Sequence, residues 1–189
     1  MPQFLQPAVL PAVACCLCLS AAALADDHRQ LGPHEHGHGT LNLAVEGTRV
    51  SIELEAPGDD IVGFEHDPSS SVESEQVEAA KAALADPLEI LGVPAAAKCK
   101  VGQANVVIEE EHEAGDVKNE NGSHAHHNAF HADYSIECDF MSAFTGLNFA
   151  YFDAFKRAQT LSVTISAPKG QAAYTVTREK REISLANVM

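Results

Sequence analysis

The ten histidines of this 189-residue chain fall in groups. Three alternate in Gly32-Pro33-His34-Glu35-His36-Gly37-His38-Gly39. Four more, His124, His126, His127 and His131, gather far downstream behind His112, and His66 stands between the groups. Imidazole is the commonest protein ligand for zinc and related ions, and closely spaced copies on a glycine-rich stretch let one ion collect several nitrogens without a rigid cage. The chemistry implied is metal capture. Candidate ligands are His34, His36, His38, His66, His112, His124, His126, His127 and His131.

Each group also has a plainer reading. The N-terminal triplet could be a polar arm, His66 a helix-entry hydrogen bond, and His124, His126 and His127 a solvated loop. His131, two residues from Asp133, could be a surface residue or a ligand held by a carboxylate behind it. If extended, the alternation of His34, His36 and His38 puts all three on one side of a strand. Chelation by i and i+2 imidazoles alone would be strained, so a donor from elsewhere is expected, with His131 or, through the family resemblance given below, His66 favoured and the loop a weaker collector.

His34-Glu35-His36-Gly37-His38 also satisfies the H-E-x-x-H pattern, in which two histidines one helical turn apart bind zinc and the glutamate activates water. That mechanism needs a helix. Pro33, Gly32, Gly37 and Gly39 crowd the segment, so a catalytic reading, a secreted zinc metalloenzyme, ranks below a binding one. Asn121-Gly122-Ser123 reads as a turn.

The first 25 residues read as a secretory signal peptide. An apolar run from Ala8 to Ala23 precedes the small residues Ala23-Leu24-Ala25 expected at a cleavage point, although no Lys or Arg precedes the run. The alternative is a retained N-terminal anchor. No other stretch approaches the roughly 18 apolar residues of a membrane span. Residues 26–189 then form a single expected domain, periplasmic in location, with no membrane insertion after signal removal. Its net charge of -15, from 27 acidic and 12 basic residues, disfavours nucleic acid and anionic membranes and favours cations.

Three of the five cysteines leave with the signal peptide, and Cys99 and Cys138 remain as an even pair in an oxidising compartment, so a disulfide is expected. Facing each other across antiparallel strands, they would set Val101 opposite Ile136, Val107 opposite Phe130 and Glu109 opposite Asn128. The bridge would close the base of an acidic, histidine-bearing loop at about 110–127. With the cysteines consumed and only Met141 and Met189 left, the donors are imidazole and carboxylate. These suit Zn2+, while nickel, cobalt or copper(II) can bind such a set in vitro. Because neutral imidazole is the ligand and its ordinary pKa is roughly 6.5, binding should weaken as pH falls below about 6.

The elements that must position these donors are mainly strands. Thr40 to Val45 and Arg49 to Glu55 alternate apolar and polar residues around Glu46-Gly47-Thr48, predicting a hairpin with one buried face. Ser70-Ser71-Val72-Glu73 fits a capping box, and Val72, Val77, Ala80 and Leu84 predict a helix from about Ser71 to Ala85, stopped by Asp86-Pro87. A second helix is expected from about Leu147 to Gln159, carrying Leu147, Tyr151, Ala154, Phe155 and Ala158. Leu161 to Ile165 and Ala173 to Val176 flank Pro168-Lys169-Gly170 as a last hairpin. The expected fold class is α+β: one domain, mainly antiparallel hairpins, with two helices.

Several segments together carry a family resemblance. These are His34-Glu35-His36-Gly37-His38-Gly39 leading into Leu41-Asn42-Leu43-Ala44-Val45-Glu46-Gly47, Ile61-Val62-Gly63-Phe64-Glu65-His66-Asp67-Pro68 before a helix, and Phe130-His131-Ala132-Asp133-Tyr134 leading to the second cysteine. In this order, nearly the whole mature chain resembles the ZrgA family of zinc-regulated periplasmic proteins linked to zinc uptake. The resemblance implies a non-catalytic zinc-binding accessory or reservoir that passes ions to a zinc ABC-type uptake system or its binding protein. One departure is that Gly115 to Ser123 contains no histidine, where the family's central loop is often rich in it. A structural β-rich module with incidental histidines is the other alternative. Metal stoichiometry on chelator-treated protein separates the three classes, and replacing His34, His36 and His38 together by Ala should remove at least one ion.

Overall fold

The computed structural model describes residues 35–111 and 127–189. The expected signal peptide, His34, His112, His124 and His126 lie outside the described residues. In chain order the strands are β1 (His38–Glu46), β2 (Arg49–Pro57), β3 (Cys99–Glu111), β4 (His127–Cys138), β5 (Gly146–Asn148), β6 (Thr160–Ala167), β7 (Gly170–Thr177) and β8 (Glu182–Ser184). The helices are α1 (Gly58–Ile61), α2 (Ser71–Leu84), α3 (Pro87–Ile90) and α4 (Tyr151–Ala154), with short 3-10 turns at Ala95–Ala97 and Met141–Ala143.

Six strands form one sheet in the order β3-β4-β2-β1-β6-β7, and β5 with β8 forms a second. All pairs are antiparallel except β1 with β6, which run parallel with Leu41 opposite Val163. The expected α+β class of simple hairpins is therefore corrected to a mainly β fold on a mixed sheet: strands hold 46% of the described residues and helices 23%. The hairpin of β1 and β2 forms as expected, with Val45 opposite Val50 and Gly47 supplying the positive φ of 61° its tight turn needs. What the local pattern did not reveal is the middle of the sheet. A parallel neighbour is joined through a long connection, and no turn signal marks it.

Alternation decides which face is buried. Leu41, Leu43 and Val45 of β1, Val50, Ile52 and Leu54 of β2, Phe130, Tyr134 and Ile136 of β4, and Leu161, Val163 and Ile165 of β6 turn one face of the sheet into the core. Ala80 and Leu84 of α2, with Phe144, Leu147, Phe149, Tyr151, Phe152 and Phe155, complete that core. The capping box of α2 forms with one change of partner: the Glu73 amide donates to Ser70 Oγ at 3.2 Å, while the Glu73 carboxylate accepts from the Ser69 amide and hydroxyl at 2.6 and 2.8 Å. Val72, expected in the apolar stripe, is 62% exposed. Among the described residues no helix is long and apolar enough to cross a membrane.

The second expected helix, Leu147 to Gln159, does not form. Leu147 lies in β5, only Tyr151–Ala154 makes a helical turn, and the chain has entered β6 by Thr160. Leu147, Phe149, Tyr151, Phe152, Phe155 and Ala158 are all buried, so the helix-like spacing reflects a segment sunk in the core on several sides. The Arg178 guanidinium also donates to the carbonyls of Phe152, Phe155, Lys156 and Ala158, supplying hydrogen bonds that a continuous helix would take from its own amides.

The Cys99–Cys138 disulfide joins β3 to β4, with Val101 opposite Ile136 as expected. Beyond that pair the expected register is corrected by one residue. A bulge between Val101 and Gln103 sets Val107 opposite His131, Ile108 opposite Phe130 and Glu110 opposite Asn128. Gly102, interrupting an otherwise regular strand, is the residue type such a bulge favours.

Candidate metal centre

The end of β2, the turn before β1 and the first residue of β4 meet at one end of the sheet. After β2 the chain makes the single turn α1 and reverses at Gly63, whose φ is +92°, which brings Glu65 back beside β4. There the Asn128 amide donates to the Glu65 carbonyl at 3.1 Å. Gly58 permits this crowding: a Cβ on it would lie 2.6 Å from the Phe64 carbonyl oxygen and 2.8 Å from that of Asn128. No side chain fits without parting these backbones.

Glu65 is the hinge of the arrangement. One carboxylate oxygen lies 3.1 Å from His36 Nε2 and the other 2.6 Å from His127 Nδ1. The three side chains each offer a donor atom within 4.8 Å of the others. Tetrahedral zinc with bonds of about 2.0–2.2 Å to nitrogen and oxygen needs ligand atoms about 3.3 Å apart, so only small side-chain adjustments separate this triad from a coordination shell. The Glu65 side chain is 12% exposed, whereas those of His127 and His36 are 38% and 61% exposed. The carboxylate thus forms the floor of the site, and the imidazoles form its solvent side.

His36 is held through its neighbour. Gly37 adopts φ +85°, its amide donates to Asp60 Oδ1 at 2.6 Å, and its carbonyl accepts from the amides of Gln159 and Thr160 at 3.1 and 2.8 Å. Asp60 is buried, 1% exposed, and burial pushes its carboxyl above the usual aspartate range, partly opposed by the Gly37 hydrogen bond. Residues 35 to 38 therefore form a turn, closed by the His38 amide on the Glu35 carbonyl at 3.0 Å. Between His36 and His38 the segment is therefore not extended, because the positive φ at Gly37 makes a turn, while His34 lies outside the described residues. The turn also holds Glu35, which is not on the helix that the H-E-x-x-H mechanism uses.

The other described histidines lie elsewhere. The His38 ring reaches Thr160 Oγ1 at 2.8 Å and Ser162 Oγ at 3.0 Å on β6. Since Thr160 Oγ1 donates to the Gly37 carbonyl, the His38 Nδ1–H is the donor to Thr160 and its Nε2 accepts from Ser162. His66 is exposed, stacks on Phe64 with ring centroids 4.9 Å apart, and donates from Nδ1 to the Asp67 carbonyl at 2.9 Å. It lines an open cleft of about 410 Å³ between α2 and the β3–β4 pair. His131 sits on the polar face of β4, its two ring nitrogens 3.9 Å from a Glu55 oxygen and 4.0 Å from a Glu109 oxygen.

Of the expected ligands, the structure therefore brings His36 and His127 together, and the residue that joins them, Glu65, was not among them. One of 27 acidic residues carries no spacing signal of its own. The available clue was its position beside His66 in Phe64-Glu65-His66, one residue from the donor sequence reasoning preferred. No curated protein matches this chain. Residues 33–185 match the family model described as ZrgA family zinc uptake protein, and the chain belongs to that family.

Proposed function

We propose that this protein works in the periplasm as a zinc-binding accessory of uptake, capturing Zn2+ at His36, Glu65 and His127 and releasing it to a zinc ABC-type uptake system or its binding protein, without a reaction of its own. The observation that carries this reading is the convergence of two imidazoles from distant segments on one recessed carboxylate. Three protein donors are one short of the closed four-ligand shell of structural zinc. The remaining position is where water, or a donor from the receiving protein, completes the shell during transfer. The exposed imidazole of His36 lies on the side from which such a partner approaches. Export is supported by the family, by the disulfide and by the signal-like first residues.

The test is zinc binding to chelator-treated protein, measured by competition with an indicator and by mass spectrometry. The expected result is at least one ion held tightly by the wild type, with affinity falling more than tenfold, about 1.4 kcal/mol, in His36→Ala, Glu65→Gln and His127→Ala alike. Wild-type affinity in any one of the three variants would overturn this ligand set. Zinc-dependent hydrolysis of a peptide or ester, abolished by Glu65→Gln, would replace the accessory reading with an enzymatic one.

A further inference from the structure

The His36 ring is 61% exposed and touches Glu65 at its tip, so little packing fixes where it points. Its position is set by the backbone of residues 36 and 37. That backbone is gripped from two sides: the Gly37 carbonyl by Gln159 and Thr160 at the start of β6, and the Gly37 amide by Asp60 in α1. The β6 side would exist for any chain that pairs β1 with β6. The Asp60 side is a single carboxylate–amide bond of 2.6 Å between residues 23 positions apart.

Asp60 is an unusual choice for a purely structural position. A carboxylate 1% exposed is costly to desolvate, and among the described residues its other oxygen has no hydrogen-bond partner. Its hydrogen bonding is spent on Gly37. The neighbouring residue uses its side chain differently: Asp59 forms a two-oxygen contact with Arg157 Nη2 at 2.7 Å, anchoring α1 to the segment before β6. The short helix α1 is thus fixed by Asp59 and in turn fixes the His36–Gly37 turn through Asp60.

We propose that Asp60 is a positioning residue of the zinc site: by accepting the Gly37 amide it holds His36 within reach of Glu65 and His127, without itself touching the metal. The proposal rests on the reading that His36, Glu65 and His127 bind zinc. It predicts a specific pattern of substitution. Asp60→Ala removes the acceptor and frees the turn, whereas Asp60→Asn keeps an oxygen in place for Gly37 N–H while losing the charge. Residues that hold ligands in this way typically change metal affinity by roughly 10- to 100-fold when lost.

The experiment is a double-mutant cycle read by zinc competition on full-length protein, with thermal unfolding of the metal-free forms recorded in parallel. Asp60→Ala should weaken zinc roughly tenfold or more, and Asp60→Asn should stay within about threefold of wild type. Adding Asp60→Ala to His36→Ala should cause no further loss, because there is no longer a ligand to position. Asp60→Ser, too short to reach Gly37, is read in the same way if the alanine variant does not fold. Wild-type affinity in Asp60→Ala beside a weakened His36→Ala overturns the role of Asp60 and leaves the site standing. Equal losses in the presence and absence of His36 also overturn it, since a general loosening of the fold would act that way. Wild-type affinity in His36→Ala sinks the site reading itself.

Discussion

Glu65 and His127 stand 62 residues apart in the chain, yet their side chains meet at 2.6 Å. Their backbones are joined as well, since the Glu65 carbonyl accepts the amide of the residue after His127. A side-chain pair seated on its own backbone bond keeps its geometry when the ion leaves. On the proposed reading, two of the three donors stand in place before the ion arrives, which lowers the ordering cost of binding.

That seat depends on Gly58. A methyl group there would press on two carbonyl oxygens at 2.6 and 2.8 Å, neither able to swing away as a flexible side chain would. Gly58→Ala is expected to cost about 1–3 kcal/mol of stability, as overpacking generally does. Its zinc affinity should fall because the Phe64–Glu65 and His127–Asn128 segments are driven apart. Denaturant titration and zinc competition on the same preparation check both; unchanged zinc affinity would show that the seat is not needed.

The cap of α2 carries a pH dependence of known sign. Hydrogen bonds from the Ser69 amide and hydroxyl hold the Glu73 carboxyl below its ordinary value of 4.5. The folded value lies below the unfolded one, so this contribution is fully present above the unfolded value and is lost as pH falls through the folded value. Ser69→Ala should move the Glu73 titration up toward 4.5, followed by carboxyl-carbon NMR. The stability difference between wild type and variant should close in acid. A gap that widened below that range would reverse the assignment.

Breaking the Cys99–Cys138 bridge removes a constraint spanning 39 residues. A double Cys→Ala variant should lose about 3 to 4 kcal/mol, chiefly through the greater freedom of its unfolded chain. Urea unfolding should show a lower midpoint. Since β3 and β4 remain paired through residues far beyond the bridge, the folded variant should keep its zinc affinity in conditions where it stays folded.

Arg178 answers for four carbonyls at once. Its replacement by Ala leaves the partly buried carbonyls of Phe152, Phe155 and Ala158 without this donor, a loss of about 1–3 kcal/mol for each one that water cannot reach. Lys carries the charge but not the planar fork, so Arg178→Lys should recover only a small part. Unfolding midpoints of the two variants decide this; full recovery by Lys would mean that charge, not geometry, is what the segment needs.

The legible parts of the molecule were those encoded by local spacing or, for the two cysteines, by count and residue type. The Val45–Val50 hairpin, the Ser70 cap and the Cys99–Cys138 pairing each follow from residues whose types and spacing specify a turn, a helix start or a cross-strand bridge. Leu147 to Gln159 misled because apolar residues at helical spacing look the same whether they form one face of a helix or fill a core from several sides. The donors that serve this segment's carbonyls come from Arg178, some twenty residues later, which no local spacing points to. At the site, His36 and His127 were legible as residue types but not as a pair. Their meeting depends on Glu65, and on a parallel β1–β6 pairing that no local signal announces.

The parallel pairing has a temporal consequence. The Gly37 carbonyl next to His36 waits for the amides of Gln159 and Thr160, the second of them 123 residues later, to arrive. A chain that folds from its N-terminus has the Asp60 contact to Gly37 available early but gains the second contact only when β6 is inserted beside β1. On the proposed reading, a molecule in which β6 has not yet joined β1 keeps Glu65 and His127 side by side but lacks one of the two backbone contacts that seat His36.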